Sequence, residues 1–298
     1  MTPYLLINAD DFGMTARVNA AALRAHREGV LTSASLMVAE EGWQEAVEIA
    51  RREPRLGVGL HVVATVDRSV LPARDIPHIV NRQGRFRPDP LRAGLLYALS
   101  KTARVELQRE MEAQFARFAQ TGLPWSHADS HQHIHMHPVV LNLFLDLCDR
   151  YGVHRIRVPR ESLRAHLRAG GDRFNINTVP ALALNVLARR AVRHLQTRKT
   201  LGGKPIFFCN QVCGTFQSGN MHAAYVRRLL DSLPGTASEV YFHPGTAYAR
   251  ALPADRQTEG VRDVELHALL DPGVRAIIEA RGFCIGRYEE IEAARSEL

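Results

Sequence analysis

The sequence predicts an α/β protein built as one irregular, TIM-like (β/α) barrel of seven or eight strands. Three observations lead there. Strand-like and helix-like stretches alternate from end to end; no composition shift or Pro/Gly/Ser-rich linker divides the chain; and reactive side chains gather at the ends of the strand-like stretches. Barrels of about 250 residues are routine, so a chain of 298 residues accommodates a single domain over 1–298. Repeated β–α alternation favours a parallel sheet.

The first strand, 4–8 (YLLIN), is an apolar run that ends shortly before two adjacent carboxylates, Asp10 and Asp11. The helix after it, 15–29, carries Thr15 as N-cap and Gly29 as its stop. Strands follow at 32–38 (TSASLMV) and 56–62 (LGVGLHV), and then 66–92 reads as a long loop. The helix at 103–122 places Leu107, Met111, Phe115 and Phe118 at helical spacing. After a strand at 125–129 (WSHAD), the helix at 138–152 opens on Pro138 and closes on Gly152. Strands at 154–158 (HRIRV), 206–209 (IFFC), 239–243 (EVYFH) and 283–286 (FCIG) complete the alternation, with a second long loop at 211–220. Such loops are where specificity elements usually lie.

A content of 46% hydrophobic and 23% charged residues fits a soluble globular protein. The N-terminal apolar stretch is too short for a signal peptide, and no run approaches the roughly 20 apolar residues of a membrane span. A cytoplasmic location is expected, with Cys148, Cys209, Cys213 and Cys284 as buried free thiols. The net charge of +7 comes almost wholly from arginine, since Lys101, Lys199 and Lys204 are the three lysines. No basic–aromatic interleaving accompanies it, so nucleic acid is not an expected partner. The one basic cluster, 188–204, reads either as a solvated helix face or as a surface for anionic lipid or phosphate.

The chemistry collects at strand ends. Asp10 and Asp11 follow the first strand, His61 closes GVGLH at the end of the third, and Asp129 ends WSHAD, with His131, His133 and His135 following it. Arg157 sits near the end of HRIRV, and His243 ends EVYFH. In a barrel these ends converge on one face, where active sites are built. Neighbouring carboxylates on extended backbone point apart and repel each other unless a cation compensates. A divalent ion resolves both difficulties: one aspartate ligates it, while a turn at Phe12–Gly13 bends the other inward. Histidines supply the remaining ligands. In SHADSHQHIHMHP the positions 127, 129, 131, 133, 135 and 137 recur with period two and, if extended, share one face. One of them is expected to ligate and the others to orient it or grip substrate.

The motifs NADDFG (8–13), VGLH (58–61), DSHQHIHM (129–136) and FHPG (242–245) resemble the YdjC-like carbohydrate deacetylases, over nearly the whole chain and in the family's order. That family includes chitooligosaccharide deacetylases and the hopanoid biosynthesis-associated deacetylases known as HpnK. The resemblance implies an irregular (β/α) barrel that uses one divalent metal to remove N-acetyl groups from sugars. It also implies Asp11, His61 and His131 as metal ligands, Asp10 as base and His243 as acid. Asp129, His133, His135 and Arg157 fall to substrate contact or to support of the ligands. Zinc or magnesium is the expected ion, and manganese, cobalt or nickel would be accepted.

Within the family, LPARDIPHIVNRQGRF (71–86), HMHP (135–138), RVPRE (157–161) and VYFHPGT (240–246) resemble the hopanoid branch, while DSHQH is closer to the chitooligosaccharide branch. The expected substrate is the N-acetylglucosamine of a hopanoid glycolipid, with chitooligosaccharide as the alternative. For a glycolipid, the basic helix and the apolar stretch 179–188 would form a membrane-facing rim at the inner membrane surface; a buried amphipathic helix explains the same residues. A barrel metallo-phosphoesterase would show more carboxylates or a Gly-rich phosphate loop, and a non-catalytic sugar- or lipid-binding relative would lack a ligand or base. The oligomeric state, a homo-oligomer included, is left open.

Overall fold

Residues 3–245 and 259–296 are described by a computed structural model. The chain opens with β1 (Tyr4–Phe12), buried along almost its whole length, and α1 (Ala16–Glu28). The Thr15 hydroxyl accepts from the Val18 N–H, and the Gly29 N–H closes onto the Ala25 carbonyl, as the cap residues predict. There follow β2 (Ser33–Leu36), α2 (Trp43–Arg52), β3 (Gly57–Val62), α3 (Pro90–Leu99) and α4 (Lys101–Gln120). Next come β4 (Ala128–Ser130), a tight turn at His131–Met136, α5 (Pro138–Arg150), α6 (Leu163–Arg168) and α7 (Thr178–Arg198). A small antiparallel hairpin, β5 (Thr200–Leu201) with β6 (Lys204–Pro205), leads to β7 (Gln211–Cys213), α8 (Ala223–Ser232) and β8 (Ser238–Phe242). The last described elements are α9 (Glu259–Leu270), α10 (Pro272–Ala280), β9 (Cys284–Ile285) and α11 (Tyr288–Ser296).

The main sheet runs β4-β3-β2-β1-β8-β7, and all its pairs are parallel. The strand β9 joins Tyr4 and Leu5 of β1, ahead of the point where β2 begins to pair. This sheet curls into a half-barrel and not into the closed TIM-like barrel of the expectation. The stretches 154–158 and 206–209, expected as strands, contribute only the isolated bridges Ala128–Ile156 and Arg155–Phe207. Pro159 and Pro205 stand at the edges of these stretches; each lacks an N–H and cuts the ladder short.

On α4 the predicted stripe Leu107, Met111, Phe115 and Phe118 is fully buried, each side chain contributing about 1.5–3 kcal/mol by leaving water. The same helix turns Glu106, Glu110 and Gln114 inward. Glu110 accepts from the Val70 and Leu71 N–H groups, and Glu106 from His78, so the 66–92 loop is tied down by buried carboxylates. The second expected loop, 211–220, in fact begins as strand β7. Cys148, Cys209 and Cys213 are buried free thiols; Cys284 is exposed, because it lies on the short edge strand β9. Among the described residues no helix is long and apolar enough to cross a membrane.

Candidate active site

The two aspartates end β1 at an irregularity. The β1–β2 register shifts between Ala9 and Phe12, and Asp11 takes a left-handed backbone with φ +64°. Aspartate tolerates that region better than most residues, at a cost of about 1–3 kcal/mol. The bulge brings both carboxylates toward His61, where regular pleating would have sent them apart. The bend therefore begins at Asp11 itself, ahead of the predicted Phe12–Gly13. Gly13 continues it at φ +90°, where an added Cβ would lie 2.8 Å from the Met37 carbonyl oxygen.

His61 on β3 stands opposite Asp129 on β4. Its Nδ1 lies 2.7 Å from Asp129 Oδ1, and its Nε2 faces Asp11 Oδ1 at 3.6 Å. The carboxylate thus fixes which ring nitrogen is left for other partners. His131 reaches the same Asp11 oxygen through Nδ1 at 2.9 Å, with its ring edge-on to His61. One donor atom from each of Asp11, His61 and His131 lies within 4.8 Å of the others, so the three predicted ligands converge. Two imidazoles and a carboxylate, one imidazole braced by a second carboxylate, form a donor set that fits a divalent cation. Asp10, His61 and Asp129 make a second, fully buried group of the same kind. Burial works against charge on His131, but Asp11 and Asp67 outweigh it and raise its pKa to about 9. Burial likewise opposes charge on Asp11, which Arg262 and His131 nevertheless hold well below the usual carboxylate range.

Behind this group lies a buried ion cluster. Arg157, fully enclosed, donates from Nη1 and Nη2 to the two oxygens of Asp10. Its Nη1 is also 2.7 Å from Asp129 Oδ2, its Nη2 is 2.6 Å from Glu239 Oε1, and its guanidinium lies over the Tyr241 ring. Burial pushes the Asp10 pKa up, but Arg157 and His61 bring it below its ordinary value. Asn8 Nδ2 donates a further bond to Asp10 Oδ1.

Asp11 and His131 open onto a cleft of about 980 Å³, whose wall also includes Asp67, His243, Arg262 and Glu265. That volume is at the upper end of the roughly 300–1,000 Å³ of small-molecule sites. Asp67 Oδ2 lies 3.4 Å from His131 Nε2, and Arg262 Nη2 donates to Asp11 Oδ2 at 2.6 Å. His243 follows β8; its Nδ1 is 3.7 Å from Glu265 Oε2, which also accepts from the His243 backbone N–H. Burial disfavours the His243 cation, but Glu265 and Asp11 raise its pKa above the ordinary value.

The His-rich run is not extended. Gln132 and His133 have φ of 51° and 53°, and the chain turns tightly over 131–136, so the predicted shared face does not form. His133 Nε2 pairs with the Tyr241 hydroxyl, and His135 lies between the Ser130 hydroxyl and the Arg157 carbonyl. Both are buried inside the fold, and burial lowers both pKa values, that of His135 to about 4. His127 bonds the Ser35 hydroxyl and stacks on Tyr288.

Asp67, Glu239, Arg262 and Glu265 escaped the sequence reading. An acid inside the apolar strand SEVYF could have flagged Glu239. Asp67 lies in a loop, and Arg262 and Glu265 on α9, where no strand-end position marks them.

An open parallel half-barrel with an Asp/His centre at its strand ends is the class that fold and site define. The YdjC-like protein family model matches residues 4–280, and the chain belongs to that family. It is 44% identical over 155 residues to a carbohydrate deacetylase of Brevibacillus brevis, covering 52% of this chain and 59% of that one. With a chitooligosaccharide deacetylase of Serratia marcescens it shares 28% identity over 98% of this chain and 100% of the other. With a carbohydrate deacetylase of Mus musculus it shares 29% over 98% and 96%. An Enterococcus faecalis crystal structure, described as a cellobiose-phosphate cleavage protein, superposes with a TM-score of 0.68 at 24% identity, over 98% and 99% of the two chains; it supports the fold.

Proposed function

We propose that the protein hydrolyses the N-acetyl amide of an amino sugar with the help of one divalent metal, releasing acetate and a free amine. The observation that carries this reading is the convergence of Asp11, His61 and His131 at a cleft, with Asp10 held behind them and His243 on the wall. The similarity to the Brevibacillus and mouse carbohydrate deacetylases and to the Serratia chitooligosaccharide deacetylase supports it.

Asp11, His61 and His131 would hold the ion, with Asp129 setting the His61 tautomer. A divalent ion there supplies Lewis-acid polarisation of the amide carbonyl and makes water a stronger acid. Asp10, kept ionised by Arg157, accepts a proton from the attacking water at a carboxylate oxygen. His243, whose protonated form Glu265 favours, gives its proton to the departing amine nitrogen. A C–O bond forms, the C–N bond breaks, and the proton lost by water is balanced by the one delivered to the amine.

The substrate we favour is the N-acetylglucosamine of a hopanoid glycolipid. A specific observation supports an apolar appendage: Ile176, on the cleft wall, is 91% exposed. The full-length similarity to the Serratia enzyme favours chitooligosaccharide as a second reading. An acetate-release assay on N-acetylglucosaminyl hopanoid and on diacetylchitobiose, with and without chelator, decides between them. No acetate from either substrate would reject the deacetylase reading itself.

A further inference from the structure

The fold leaves unusually large apolar side chains in water on one side of the cleft. Phe174 is 85% exposed, Ile176 91% and Val179 76%, and Leu182 and Val186 continue the outward stripe of α7 at helical spacing. On α3, Leu91, Leu95 and Leu99 recur every fourth residue and are all exposed, Leu91 by 86%. Both helices pack against the 131–136 turn and against α5, so the two stripes flank the same end of the molecule. Scattered single apolar residues on a surface need no explanation; two ordered stripes, one of them starting beside Ile176 on the cleft wall, do.

Charge narrows the choice of partner. From Arg173 to Leu230 the chain has no Asp or Glu and nine Lys or Arg. From Pro90 to Val105 it has Arg92, Lys101 and Arg104 and again no acid. Arg173, Arg189, Arg190 and Arg193 are exposed beside the α7 stripe. Asp172 and Asp89 border these two stretches, and Asp89 pairs with Arg92 at 3.3 Å, but the cations outnumber them. Large apolar side chains set in such a net positive field match the chemistry of an anionic bilayer surface. Headgroups would meet the arginines, and the Phe174 and Leu91 side chains would enter the acyl boundary.

We propose that the α3 and α7 stripes dock the protein on anionic lipid bilayers, bringing the mouth of the cleft to the membrane surface. This goes beyond the deacetylase reading and is tested by binding alone, so its failure leaves that reading standing.

The experiment is flotation of the full chain with phosphatidylcholine vesicles, with and without phosphatidylglycerol. The protein is expected to float with the anionic vesicles, to stay behind with the neutral ones, and to be released by high salt. Phe174→Ser combined with Val179→Ser, and separately Leu91→Ser with Leu99→Ser, should each weaken vesicle partitioning by at least about tenfold. Circular dichroism should show both double variants folded, and the two pairs on different helices guard against one that fails to fold. Failure of the unaltered protein to float with anionic vesicles would overturn the proposal, as would flotation unchanged in both variants. Sedimentation showing that the stripes instead hold two copies of the chain together, with no lipid binding, would overturn it as well.

Discussion

Arg157 grips Asp10 with two nitrogens, Nη1 to Oδ2 at 2.7 Å and Nη2 to Oδ1 at 2.8 Å, in a place where Arg157 itself has no exposure to water. The same guanidinium serves Asp129 and Glu239, so one cation compensates three buried carboxylates. Removing it leaves charges without a partner in low dielectric, a loss of about 3–5 kcal/mol. Arg157→Met is expected to lower stability by that order in urea unfolding. Arg157→Lys should recover part of the stability but little activity, because a point charge cannot form the two-nitrogen grip. Equal activity in the lysine variant and the unaltered protein would show that the grip does not position Asp10.

Asp10 and Asp67 are both acids close to the candidate ligands, and they differ in placement: Asp67 lies on the cleft wall and Asp10 behind it. With Asp10 as base, Asp10→Asn retains the metal and loses turnover by about 10²–10⁴-fold. Asp67→Asn then loses distinctly less. Rate measurements at saturating metal compare the two, and the reverse order would move the base to Asp67.

His243 should matter in proportion to the leaving group's need for a proton. His243→Ala is expected to slow amide hydrolysis by about 10²-fold or more and to affect activated esters much less. Matching losses on both substrates would remove it as the acid.

Stability should depend on pH through Glu161, which is buried and accepts from the Phe216 N–H at 2.9 Å. Burial raises its pKa from 4.5 to about 7 against the pull of its hydrogen bonds. Between those values the folded chain binds more protons than the unfolded one, so this group's contribution is complete below 4.5 and is lost as pH rises through about 7. Glu161→Gln should remove that decline, worth up to about 3 kcal/mol. Melting temperatures across the range check it, and an unchanged slope in the glutamine variant would assign the dependence elsewhere.

Much of this architecture was legible because its signals are local. The caps of α1, the inward stripe of α4 and the reactive residues at the ends of β1, β3, β4 and β8 follow from spacing and residue type. Closure of the barrel was misjudged because HRIRV and IFFC have strand composition, while the prolines beside them limit each to a single bridge. The His-rich run misled for a related reason: period two holds only on extended backbone, and Gln132 and His133 adopt positive φ. Arg262 and Glu265 were invisible because α9 brings them to Asp11 and His243 across more than twenty residues of chain, and in the case of Asp11 across 251. Long-range packing of that kind leaves no pattern in one sequence.

The most direct test is anomalous diffraction from crystals grown with zinc or manganese. One metal peak bonded by Asp11, His61 and His131 is the predicted result. A peak held instead by Asp10, His61 and Asp129, or no ion at either group under saturating metal, would contradict the account.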